Sequence, residues 1–308
     1  GRTGQWFGFQ HYGIVPDMVM GHSLGEYGAL VAAGCLTFEA ALEAVSARGR
    51  EMASLEVPDK GAMAAVFGPL TEIQRIVDET SAAGGYVVVA NINSNSQAVV
   101  GGSTAGVEKA MEAYAAAGIN AIRIPVSHAF HTSIVAPASA PLIDQLRRLN
   151  VKPPVRPIVA NVTGEFYPEN ATVEDMLDML GKQVASPVQF VKGLQTLYAA
   201  GVRVFVEVGP KKALHGFAED VLGAEHDDVL ALLRVLGADI AAPLPARYVG
   251  QWIIGTSLGL HFTPVVVHEV AGLWYLLVAG AVFAIALGYV SGVALARLAD
   301  LDRTTYVD

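Results

Sequence analysis

The chain has 308 residues, room for one large domain or two ordinary ones, and its formal charge of −9 with a sequence pI near 5.4 excludes the basic face that non-specific nucleic-acid binding needs. Its one cysteine, Cys35, excludes an internal disulfide and a Cys-rich zinc centre and fits a reducing compartment. Hydrophobic residues reach 53% against 16% charged, with mean hydropathy +0.43, so part of the chain is expected to avoid water.

The opening GRTGQWFGFQHYG has neither the apolar centre nor the cleavage site of a secretory signal, and without an initiator Met it reads as a chain whose beginning is missing. The stretch VPDMVMGHSLGEYGAL then predicts a short strand over 17–20, a tight turn at Ser23 and a helix over 24–33. TFEAALEAVSARGREMASL carries apolar residues at helical spacing, with Thr37 placed to cap the helix. Next come AMAAVF (strand), LTEIQRIVDET (helix), YVVVANINS and QAVVGGS (strands), GVEKAMEAYAAAG (helix) and INAIRIPVS (strand). This βαββαβ order over 62–127 is the split-βαβ pattern of a ferredoxin-like module. It sits as an insert between Ser23 and a pair of histidines. VRPIVANV and VRVFVEVG follow and read as buried parallel strands with helices between them. The fold class expected is α/β: a hydrolase-like parallel core from 1–61 and 128–233, the insert at 62–127, and a hydrophobic tail over 234–308.

The tail changes character. From residue 248 to 296 the only formally charged side chain is Glu269, and 271–296 carries none. At 1.5 Å per residue that run is long enough for the ~30 Å hydrocarbon core, so a membrane helix is expected there. His261 and His268 in the tail are seven apart, beyond the i,i+4 spacing of a shared helical metal site, so no metal is assigned.

The pattern G-x-S-x-G around Ser23 is that of a nucleophile elbow, although the same letters also occur at ordinary helix-start turns. A serine hydroxyl needs a base before it can attack. His22 is its neighbour and points elsewhere in an elbow. The segment SHAFHTS offers His128 and His131 at the end of a predicted strand, and the residues alone leave either open. The Leu24 N–H, at the start of the following helix, is a natural oxyanion donor.

Seven pieces in order, GHSLGEYGAL, ARGREM, ANINSNSQAVVGG, SHAFHTSIVAPA, ANVTG, KQVASPVQF and VFVEVGPKKAL, resemble the acyltransferase domain of type I polyketide and fatty acid synthases, the malonyl-CoA:acyl-carrier-protein transacylase family. The resemblance covers about residues 14–230. It implies that Ser23 accepts the acyl group, that His131 is its base, and that the backbone carbonyl of Gln183, rather than an Asp, orients that base. Arg48 would grip the free carboxylate of a malonyl group, which a guanidinium can bind bidentately, while Arg50 stays solvated. His22, Asn93 and Phe130 would lie at the substrate, with Phe130 in the HAFH spacer filling the space of an α-methyl branch. The implied reaction moves a malonyl group from malonyl-CoA to the phosphopantetheine thiol of an acyl carrier protein or a synthase domain. It needs no bound cofactor; coenzyme A enters as a thioester substrate.

Two departures set further expectations. The family's glutamine loop, which supplies a second oxyanion N–H before the serine, has no counterpart: Gln5 lacks its glycine-proline setting. A weak or inactive isolated enzyme is therefore expected, with a dead fragment or a serine hydrolase as the alternatives. Beyond residue 233 the tail is similar to bacterial integral-membrane proteins of the AbrB, or ammonia monooxygenase, type, which implies a cytoplasmic catalytic domain anchored to a membrane by its C-terminal helix.

Overall fold

The computed structural model describes residues 15–209, 213–223 and the backbone of 231–234. All belong to the first of two compact units, Gly1–Asp239; the second, Ile240–Asp308, lies outside the described residues. The expected membrane span at 271–296 falls there. Among the described residues no helix is long and apolar enough to cross a membrane.

The chain enters through β1 (Val19–Met20), which pairs in parallel with β6 (Ile158–Val159). Both are shorter than the sequence suggests. Pro153, Pro154 and Pro157 remove backbone donors just before β6, and a turn closes straight after it, with Gly164 in left-handed backbone at φ 65° and its N–H donating to Ala160 O. After β1 the chain turns through Ser23 into α1 (Gly25–Ala32). The next helix, α2 (Phe38–Ala53), is capped by Thr37, whose hydroxyl accepts from the Ala40 N–H at 3.2 Å. It buries Ala41, Ala44, Arg48 and Met52, a helical stripe that carries one guanidinium into the core.

The insert follows as β2 (Ala62–Phe67), α3 (Leu70–Ala82), β3 (Val87–Ser94), β4 (Gln97–Gly102), α4 (Thr104–Ala116) and β5 (Asn120–Ile124). Its antiparallel strands lie in the order β5-β2-β4-β3, the ferredoxin-like arrangement predicted. Ile73, Ile76 and Val77 of α3 and Val107, Ala110 and Tyr114 of α4 cover one face, packing on Ala64, Val66, Val87 and Val100. The sheet does not end with the insert. β7 (Val188–Gln189), from far along the chain, adds in parallel to β3 and ties this sheet to the elements around the serine.

A 3₁₀ turn (Ser133–Ala138) leads into α5 (Ser139–Leu146). Further on, α6 (Val173–Gln183) starts with a capping box between Thr172 and Asp175, and α7 (Phe190–Ala199) follows β7 directly. The last described elements are β8 (Val204–Glu207), α8 (Ala213–Ala218) with a π turn at Glu219–Gly223, and β9 (Ala231–Arg234), parallel to β8. A main core under the serine joins α1, α2, α5 and α6 through Tyr27, Leu30, Ala44, Leu142, Met176 and Leu180.

The parallel core therefore differs from the expected hydrolase-like sheet of buried parallel strands. Among the described residues the parallel ladders are separate: β1 with β6, β8 with β9, and β7 with β3 at the edge of the insert's sheet. β8 is not fully buried: Phe205 packs with Phe190, Leu194 and Leu222, while Val204 and Val206 on the other face are 46% and 40% exposed. A run of valines reads the same whether one face or both are covered, which is why the sequence suggested full burial.

Candidate active site

Ser23 stands at the junction of β1 and α1 with φ 51°, a left-handed conformation that costs a non-glycine residue energy. Gly21 makes the turn possible, since a Cβ there would collide with the backbone of Gly25 and Glu26. The turn closes through the Gly25 N–H to His22 O at 2.8 Å and the Glu26 N–H to Ser23 O at 3.0 Å. Among the described residues the Leu24 N–H makes no hydrogen bond, so it is an available donor at the positive end of α1.

Both backbone groups of Ser23 are also held from outside the turn. Its N–H donates to Asn161 Oδ1 at 2.6 Å, and its carbonyl accepts from Gln183 Nε2 at 3.0 Å. Asn161 in turn donates to Gly21 O at 2.8 Å. Asn161 leaves the end of β6 as Ser23 leaves the end of β1, so the C-terminal edge of this parallel pair gathers the site.

His131 also has left-handed backbone, φ 60°, and its N–H donates to Val184 O at 3.1 Å. Nδ1 faces two backbone carbonyls, Gln183 O at 2.9 Å and Ser186 O at 3.1 Å. Two acceptors require Nδ1 to carry the proton, which leaves the Nε2 lone pair pointing at Ser23 Oγ, 2.6 Å away. The ring is buried, and burial, reinforced by the Arg48 charge, pushes its pKa from 6.5 down to about 4. Of the two histidines it is His131 that meets the serine: His128 is buried with Nδ1 3.2 Å from Ser127 Oγ.

Arg48 is 8% exposed, and its Nε and Nη2 are buried without a hydrogen-bond partner. Burial lowers the pKa of the guanidinium, partly offset by Tyr27 and Glu26 nearby. A buried cation with unpaired N–H groups is costly on its own and is a ready receptor for a carboxylate. Arg50, two residues on, is exposed.

His22 and Asn93 meet each other: His22 Nε2 donates to Asn93 Oδ1 at 2.7 Å, and Asn93 Nδ2 donates to Gln97 Oε1 at 2.7 Å. The His22 ring packs edge-on against Phe190 at 5.1 Å. Phe130 is half-buried directly before the base, its ring 6.5 Å from that of His128. Gln5 lies outside the described residues. Four contributors escaped the sequence reading: Glu26, Asn161, Tyr167 and Ser186. Glu26 carried a signal, an acid within the otherwise apolar start of α1, and it is fully buried. Tyr167 OH donates to its Oε1 at 2.8 Å, and Gln183 Nε2 and the Asn161 N–H donate to its Oε2 at 2.7 and 3.3 Å.

Residues 3–240 match the family model described as "Acyl transferase domain". The chain belongs to that family. This acyl transferase chain is 38% identical over 215 residues to the malonyl CoA-acyl carrier protein transacylase of Bacillus subtilis, an alignment that covers 69% of the chain and 67% of the relative. The malonyl CoA-acyl carrier protein transacylase structure from Clostridium perfringens superposes with TM-score 0.67 at 32% identity, over 72% of this chain and 69% of that one. A complex of a type II polyketide synthase acyl-carrier protein with its malonyl-transacylase gives TM-score 0.67 at 32% identity, covering 72% of each chain. The acyl transferase chain thus spans about two thirds of the length of these transacylases. Residues 229–307 match a second family model, described as "Transition state regulatory protein AbrB". That description names a regulator and not the monooxygenase-type membrane family expected for the tail.

Proposed function

We propose that this chain transfers a malonyl group from malonyl-CoA to the phosphopantetheine thiol of an acyl carrier protein through a malonyl-Ser23 intermediate. The observation that carries the reading is Ser23 Oγ 2.6 Å from His131 Nε2, with an unpartnered buried guanidinium close enough to lower the basicity of that histidine. Relatives named as malonyl transacylases support the substrate class.

In the first half-reaction Ser23 Oγ attacks the thioester carbonyl while His131 Nε2 takes its proton. The new O–C bond places negative charge on the carbonyl oxygen, opposite the Leu24 N–H. Collapse breaks the C–S bond, and coenzyme A leaves as a thiol with the proton from His131. In the second half-reaction the carrier thiol gives its proton to His131 and attacks the malonyl ester. The Oγ–C bond then breaks and Ser23 recovers its proton. Arg48 pairs with the free carboxylate of the malonyl group throughout, which favours it over acetyl-CoA. Phe130 is assigned to the space an α-methyl group would need, a preference worth about 1–3 kcal/mol. His22 and Asn93 support the mouth of the site. We assign the catalytic core to 1–61 and 128–233 around the 62–127 insert, with 234–308 as a separate tail.

A serine hydrolase would orient its histidine with a carboxylate. Here Nδ1 meets two carbonyls instead, and a hydrolase gives Arg48 no purpose. Intact-mass measurement after incubation with malonyl-CoA tests the proposal, with Ser23→Ala as control. A malonyl adduct that vanishes in the control and moves to an added carrier protein is expected. An unmodified parent chain would sink the reading, and an adduct discharged to water as fast as to carrier would favour the hydrolase.

A further inference from the structure

The acyl-transfer steps leave one buried titratable group unused. Glu26 lies in the first turn of α1, 0% exposed, directly behind the nucleophile. Every group that meets its carboxyl is a donor: Tyr167 OH at Oε1, and Gln183 Nε2 and the Asn161 N–H at Oε2. An ionised carboxylate, which only accepts, fits all three without conflict, whereas a neutral acid must turn one oxygen into a donor. Burial raises the pKa of this carboxyl; the bonds from Tyr167, Gln183 and Asn161, and after them the Arg48 charge, act in the opposite direction.

The two residues that share Oε2 are those that carry the catalytic geometry. The Gln183 backbone carbonyl holds Nδ1–H of His131, while its side-chain amide donates both to Glu26 and to Ser23 O. Asn161 holds the Ser23 N–H and the Gly21 carbonyl. The base and both ends of the elbow thus reach a single carboxylate, each through one intermediary. For folding alone this is an expensive choice, because a well-packed apolar side chain commonly serves a core as well as a buried charge.

The geometry points to Glu26 as a positioning residue that locks Gln183 and Asn161 together and so fixes the distance between Ser23 and His131. This inference rests on the acyl-transfer reading. Small displacements matter there, since a misplacement of about 1 Å can cost about 10²-fold in rate.

Single-turnover acylation of the full chain by excess malonyl-CoA, quenched and followed by intact mass, separates a rate constant from the final fraction of Ser23 acylated. Glu26→Gln turns an amide toward groups that themselves donate, yet keeps the size of the side chain. Its rate constant is expected to fall about 10- to 100-fold, with half-saturating malonyl-CoA within about threefold and the acylated fraction near that of the parent. Tyr167→Phe removes one bond to the carboxylate and should slow the same step about three- to tenfold. It also decides the matter if Glu26→Gln does not fold. A purely structural role would instead lower the acylated fraction and leave the rate constant unchanged; that result, or parental rates in the folded variants, overturns the proposal. A parent chain never acylated at Ser23 fails earlier, and removes the acyl-transfer reading together with this one.

Discussion

Ser23 and His131 both hold left-handed backbone, φ 51° and 60°, and meet with Oγ 2.6 Å from Nε2. Each residue accepts local strain so that two side chains from distant segments face one another, and the surrounding hydrogen bonds keep both in place. The strain has a measurable signature. Ser23→Ala and Ser23→Gly both lose the hydroxyl, so both should block acylation. Glycine tolerates the positive φ, so Ser23→Gly is expected to be more stable than Ser23→Ala by about 1 kcal/mol in urea denaturation. Equal midpoints would argue that the turn is relaxed.

Arg48 combines burial with unpaired N–H groups, so its worth lies in binding rather than folding. Arg48→Met keeps much of the stem and removes the charge. Unfolding stability should change little, because the desolvation cost of the buried cation disappears together with its attraction to Glu26. The KM for malonyl-CoA should rise about 10- to 100-fold, the range of a lost charged hydrogen-bond pair, while acetyl-CoA use changes little. Steady-state kinetics with both thioesters checks the ratio; an unchanged ratio removes Arg48 from carboxylate recognition.

Gly21, in the turn before α1, and Gly28, within α1, offer a paired test. A Cβ at Gly21 would press into the backbone of Gly25 and Glu26, which cannot give way without unwinding the first helical turn, whereas Gly28 has nothing within 4 Å of such an atom. Gly21→Ala is expected to cost about 1–3 kcal/mol of stability and most of the acylation rate. Gly28→Ala, inside α1, should gain about 0.5–1 kcal/mol and leave the rate alone. A tolerated Gly21→Ala would mean that the elbow can re-form around a side chain.

Local pattern carried much of this structure. The βαββαβ order of the insert was readable because each element has its own period and its turns are short, and Thr37 caps α2 as its place before an apolar stripe suggested. The pairing of β7 with β3 was not readable, because register between segments about a hundred residues apart leaves no local trace. At the site, glycine spacing exposed Ser23, but residue chemistry alone left His128 and His131 equivalent; only family resemblance separated them before the hydrogen bonds did. Glu26 and Asn161 stayed hidden for a related reason. A buried carboxylate and a solvated one look alike in sequence, and what distinguishes Glu26 is the convergence of α1, β6, α6 and Tyr167 around it.

The depressed basicity of His131 predicts the pH behaviour. Burial and Arg48 hold its pKa at about 4, so the ring is neutral and able to accept a proton well below the point at which an ordinary histidine, near 6.5, is half charged. The acid limb of kcat/KM for acylation, which reports the free enzyme, should therefore fall below pH 6. The malonyl carboxylate offsets the Arg48 charge once bound, so the corresponding limb of kcat should lie higher than that of kcat/KM. Stability follows the same group with a definite sign. Between pH 6.5 and about 4 the unfolded chain binds a proton at this histidine that the folded chain does not, so stability falls as pH is lowered through that window, by about 3 kcal/mol across it. Urea denaturation at pH 7 and pH 5, compared with His131→Gln, isolates the contribution: the variant should lose less stability on acidification than the parent. Parallel losses in the two chains, together with a kinetic limb near 6.5, would place His131 in contact with solvent rather than locked between the Gln183 carbonyl and the serine.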